Sequence, residues 1–151
     1  GIDKLLDIKP EAKIKLYPET PLFNVRVAFQ IPTSVQLGAS SKPVDAFAST
    51  FEDALVLHNL DLFKTLNGVG GIKKVKDAVV SATDAASLTT ALFEIVREMS
   101  KAAFALDLLF IQDPKDLKVP LYIHEGLAWL EQQLDNRTDV VCSTPTPEVV
   151  E

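Results

Sequence analysis

The chain has 151 residues, 47% of them hydrophobic and 24% charged, a balance that suits one folded domain and excludes a disordered one. Fifteen Lys and Arg against 21 Asp and Glu leave a net charge of −6, which argues against a basic surface that binds nucleic acid unaided. Cys142 is the single cysteine, so no disulfide framework is possible within the chain; no apolar run reaches the roughly 18 residues of a membrane span and no signal-peptide pattern is present. A reducing, cytoplasmic setting without membrane contact is the expectation.

The opening "GIDKLLDIKP" reads as the interior of a longer chain, with "IDKLLDI" a short turn of helix closed by Pro10. Residues 1–22 form a lead-in. "FNVRVAFQI" alternates Phe23, Val25, Val27 and Phe29 with Asn24, Arg26 and Gln30, Ala28 being the small exception, which predicts a strand that is apolar on one face. "TSVQLG" continues extended, "ASSKP" has turn chemistry, and "VDAFAST" returns as a second strand. An antiparallel pair is thus expected within 23–50, joined by a turn from Gly38 to Pro43.

From Thr50 the period changes. Phe51, Ala54, Leu55, Leu62 and Leu66 recur at mostly three- and four-residue intervals, predicting a helix that "NGVGG" ends with a glycine in the left-handed position. "IKKVKDAVVSA" is a short amphipathic helix. Leu88, Leu92, Ile95, Met99, Ala103, Leu106 and Phe110 form one stripe, predicting a long helix from Asp84 to Phe110 that "QDPKDLKVP" breaks. "YIHEGLAWLEQQL" is a last helix behind Pro120, with Tyr122 and Trp129, like Phe104, as core residues; 137–151 reads as a flexible tail. The pattern predicts an α+β domain over 1–136: an antiparallel hairpin, then a cluster of helices over 51–135 that includes one long helix.

Chemistry concentrates in "ASTFEDALVL". Ser49 lies three residues before Glu52, the capping-box spacing, in which hydroxyl and carboxylate satisfy backbone N–H groups and contribute about 1 kcal/mol. The same carboxylate, held at a strand-to-helix junction, also suits a metal ligand. Lys101 lies on a polar strip with Glu94, Arg97 and Glu98, the ordinary place for a solvated lysine. His58 and His124 have no second ligand at helical spacing and read as packed or surface histidines. "HEG" is not HExxH, and "NGVGGIKK" matches no phosphate-binding loop. No D-x-D pair is present, so a site built on Glu52 needs further carboxylates from elsewhere.

Read in order, "VRVAFQIPTSVQL", "STFEDALVLHNLDLF", "KAAFALDLLF" and "VPLYIHEGLAWL" resemble the C-terminal part of the TOPRIM nuclease region in OLD-family (overcoming lysogenization defect) ATP-dependent endonucleases. The resemblance covers about Ile2 to Leu134. It implies a fragment of a metal-dependent DNA endonuclease, with Glu52 as a Mg²⁺ or Mn²⁺ ligand, Thr50 as a hydroxyl beside or on the same metal, and Lys101 as a catalytic cation. ATP would bind only in a separate ATPase domain of the parent chain. DNA, the upstream ATPase and TOPRIM segments, and further copies of the chain are the implied partners, and anti-phage defence the implied role. Ala102 and Ala103 depart from the hydroxyl and acidic residues that follow the family's lysine, and Ser49 stands where many relatives have arginine. Without the acidic TOPRIM strands, this chain alone is expected not to cleave DNA. The rival reading is a non-catalytic interaction module whose stripe from Leu88 to Phe110 packs against a partner or a second copy.

Overall fold

The computed structural model describes residues 14–15, 25–37, 42–111 and 113–135. The expected helical turn at 2–8, residues 38–41 of the expected turn and the tail at 137–151 lie outside them. Within them the fold is α+β, with two small antiparallel sheets and a cluster of helices. Strand β1 (Ile14–Lys15) pairs with β2 (Val25–Arg26). Strand β3 (Thr33–Val35) pairs with β4 (Val44–Ala46), Ser34 facing Asp45. This second pair is the hairpin that the turn-forming "ASSKP" predicts. Its Val35 and Ala46 enter the core.

Of the strand expected over 23–31, residues 25–31 are described, and only Val25–Arg26 of these pair as strand; Val25 and Val27, on its apolar face, are exposed. The last helix takes the other face. Arg26 Nη1 donates to the Glu125 carbonyl at 3.1 Å, and a Cβ on Gly126 would come within 3.1 Å of the Ala28 Cβ. A small residue on each side lets the helix approach the segment that follows β2, and Arg26, on the side that reads as polar, is half-buried there.

Helix α1 (Phe51–His58) and α2 (Leu60–Thr65) replace the single helix expected from Thr50 to Leu66. The break falls at Asn59, which is buried and leaves helical geometry at ψ 33°. Its Nδ2 donates to the carbonyls of Leu55 and Lys118 at 2.8 and 2.9 Å, and its Oδ1 accepts from the Lys118 N–H at 2.8 Å. Asn and Asp side chains compete with the helix for backbone partners, and here the competition also recruits a strand of chain far along the sequence.

Helix α3 (Gly70–Ser81) buries Ile72, Val75 and Val79, as its amphipathic pattern predicts. The left-handed glycine is Gly70, at φ 56°, and it opens α3 rather than closing the helix before it. Helix α4 (Ala85–Glu98) buries Leu88, Leu92 and Val96, and Asp84 caps it by accepting from the Ser87 N–H at 2.8 Å.

The long helix expected over Asp84 to Phe110 is corrected to α4 and α5 (Lys101–Ile111). Met99 is extended at ψ 155°, and Ser100 caps the new helix, its Oγ accepting from the Ala103 N–H at 3.2 Å. The interruption resets the helical phase. Phe104 and Leu108 are the buried residues of α5, whereas Leu106 and Phe110 of the expected stripe are 56% and 87% exposed. Phe104 stacks on Phe63 with ring centroids 6.3 Å apart, a contact that contributes about 1 kcal/mol beyond burial. A 3₁₀ turn (Pro114–Asp116) follows, then α6 (Leu121–Asp135), the expected last helix. Phe104 is in the core as expected, but Tyr122 and Trp129 are only half-buried. No helix among the described residues is long and apolar enough to cross a membrane.

Candidate functional site

The junction of β4 and α1 settles which residues cap. Thr50, not Ser49, is the N-cap, and Asp53, not Glu52, is its partner. Asp53 Oδ1 accepts from the Thr50 N–H at 2.6 Å and from the Thr50 hydroxyl at 2.7 Å, while Oδ2 accepts from the Ser49 N–H at 2.8 Å. Thr50 Oγ1 in turn accepts from the Asp53 N–H at 3.4 Å. The capping box expected from Ser49 and Glu52 is therefore one residue further on. The box also fits "TFED", where Thr50 and Asp53 have the same spacing, so the signal was in the sequence in duplicate.

The shift frees Glu52. Its side chain is 12% exposed and points to the start of α5, where Lys101 Nζ lies 3.2 Å from its Oε2. This buried oxygen is thus ion-paired with a cation from another helix. Burial pushes the Glu52 carboxyl up, but its own backbone N–H, the Lys101 ammonium and the Thr50 hydroxyl outweigh burial and hold it below the ordinary 4.5. Lys101 itself is 59% exposed.

Residues far apart in sequence therefore meet at one place. Thr50 and Lys101 line a cleft of about 310 Å³ with Phe93, Val96, Arg97 and Met99. Tyr122 of α6, unassigned to any site by its sequence position, lies within electrostatic range of the same carboxylates. Its phenol is pushed above its ordinary value by burial and by the charges of Asp53 and Glu52.

The donor set bears on the implied metal. The Glu52 carboxylate fits one ligand of a divalent cation, since it is a hard oxygen donor held ionised in the fold. Asp53 is committed to the backbone and Thr50 to the cap. Among the described residues no group of three or more His, Cys, Asp or Glu comes together to hold a metal ion. These residues thus fit a contribution to a metal site, not a whole one.

The histidines lie apart from this junction. His58 lines a separate polar cleft of about 230 Å³ with Ser34, Asn59, Asp61, Asp116 and Lys118, and burial, then the Lys118 charge, pushes its imidazole below 6.5. His124 is exposed on α6. No protein-family model, curated protein or solved structure matches the chain.

Proposed function

We propose that this chain supplies the Glu52–Lys101 corner of a metal-dependent DNA endonuclease of the OLD/TOPRIM type, within a longer parent protein. The observation that carries the reading is the meeting of a buried carboxylate from α1 with an exposed ammonium from α5 beside an open cleft. Lys101 thus leaves the place of a merely solvated lysine on a polar strip and pairs with a buried acid on another element. The resemblance in sequence order supports the same pair.

In this reading Glu52 gives one oxygen to a Mg²⁺ or Mn²⁺ site completed by carboxylates from elsewhere in the parent, and the bound ion supplies activated water for phosphodiester hydrolysis. Thr50 and Asp53 hold the backbone rigid under Glu52, so its carboxylate keeps one position. Lys101, half in solvent, neutralises charge that develops on the scissile phosphate. In the same reading, defence against phage and ATP-gated access are functions of the parent chain.

The test is metal-dependent nicking of supercoiled plasmid by the full-length parent. Glu52→Gln should abolish nicking, and Lys101→Ala should lower it by about 100-fold or more, with unchanged circular dichroism. Full activity in Glu52→Gln would rule the assignment out.

The exposed apolar residues of α5 favour a second reading. Leu106, Leu109 and Phe110 are 56%, 57% and 87% exposed, more than a free helix face ordinarily shows. Here the helices bind another surface or a second copy and the ion pair is structural. Loss of association in Phe110→Asp, with no nicking by any form of the parent, is the result that would favour it.

A further inference from the structure

The cleft beside Lys101 has a composition that the cleavage reading does not use. Phe93 and Arg97 stand one turn apart on the same face of α4, and the break at Met99 and Ser100 folds Lys101 round to the same cleft. The floor is apolar, with Val96 buried and Met99 half-buried. Met99 is backed by Gly71, where a Cβ would meet the Met99 Sδ at 3.2 Å, so the floor sits close against α3. Phe93 is 39% exposed although it lies beside a packed core. In a chain of net charge −6, the charged side chains lining this cleft, Arg97 and Lys101, are both cations.

An aromatic face, an apolar floor and two cations about a cleft of about 310 Å³ are what an unpaired nucleotide requires. A base stacks on the ring whatever its identity, and the flanking phosphates take the charges. A duplex keeps its bases stacked on one another and cannot use the ring. Each cation already has an acidic neighbour, Arg97 with Glu94 and Lys101 with Glu52. The Arg97 pair is exposed on both sides, so Arg97 can turn to a phosphate at small cost.

We infer that the Phe93–Arg97–Lys101 cleft is a subsite for an unpaired DNA nucleotide, with Phe93 stacking the base and Arg97 holding the adjoining phosphate. The inference rests on the nuclease reading for its choice of DNA, and it adds that the strand enters this site unstacked. Phe93 and Arg97 are binding residues here and do not touch reacting atoms.

The test uses the 151-residue chain in chelator and low salt, so that cleavage plays no part. Fluorescence anisotropy is read with a labelled oligothymidylate and with a duplex of the same length. The single strand should bind more tightly than the duplex. Phe93→Ala should weaken single-strand binding about tenfold with little change for duplex, and Phe93→Leu, which keeps the apolar bulk, should weaken it equally. Arg97→Ala should lower the steepness of the salt dependence by about 0.7 in log–log slope. Equal affinity for the two probes, or full affinity in Phe93→Leu, overturns the inference. Either result leaves the nicking assay of Glu52→Gln to decide the nuclease reading separately.

Discussion

At the start of α1, two adjacent carboxylates serve different groups. Asp53 turns back to the N–H groups of Ser49 and Thr50, and Glu52 turns out to Lys101. Spacing alone could not divide them, because Ser49 with Glu52 and Thr50 with Asp53 both fit the capping box. What chooses is the rest of the molecule: α5 begins beside Glu52, and nothing local to "STFED" announces that. The ionised Glu52 is favoured in the fold, its carboxyl lying below the ordinary 4.5. Its contribution to stability is therefore present above that value and disappears as pH falls through the folded-state value. Lys101→Met removes one of its supports. The difference in Tm between wild type and Lys101→Met should be present at neutral pH and should close in acid below 4.5. A gap that stays constant across that range would mean that the ion pair contributes nothing.

Elements show the same pattern of legible presence and hidden limits. Every helix that hydrophobic spacing predicts in the described residues exists, yet two of them are cut. Leu88, Leu92 and Val96 fall in step on α4, and Phe104 and Leu108 fall in step on α5, but the steps are out of phase. The stripe through Ala103 and Leu106 continued a period across a serine that ends it. Ser100 before "KAAF" is an N-cap signal, outweighed in the sequence by the apolar run on either side. The β2 segment shows a different limit: alternation separates two faces but does not say which one a helix will meet. For α1 the cap can be tested directly. Asp53 is 2% exposed, and removing its carboxylate leaves the Ser49 and Thr50 N–H groups without their acceptor. Asp53→Ala should cost about 2 kcal/mol in urea unfolding. Ser49→Ala should cost less than about 0.5 kcal/mol, since its side chain is outside the box. Equal losses would return the cap to Ser49.

Across the whole molecule, the core runs from the β3–β4 hairpin through α1, α2, α3 and α4 to the first turns of α5. Helix α6 lies outside that core with no fully buried residue, held by Arg26 at Glu125 and by close approach of Gly126 to Ala28. Its position matters to the candidate site, because Tyr122 at its start is near enough for the charges of Asp53 and Glu52 to raise its phenol above the ordinary value, after burial. The chain just before α6 is fastened at Lys118 by the side chain of Asn59, across a separation of 59 residues. No periodicity could have revealed that tie, since an asparagine in a helical run reads only as a weak helix former.

The tie also bears on how long the folded molecule lasts. A contact that closes so large a loop is entropically expensive to form early, so it belongs after the rate-limiting barrier to folding. The helices around it, built from near neighbours, can form first. Asn59→Ala leaves both the N–H and the carbonyl of Lys118 without their partner and should cost about 2 kcal/mol or more. In stopped-flow chevrons that loss should fall almost wholly on the unfolding limb, with the refolding rate changed less than about twofold. A slowed refolding limb would place Asn59 in the nucleus instead. One buried amide then acts as a kinetic latch: it does little to bring the protein to its folded state and much to keep it there.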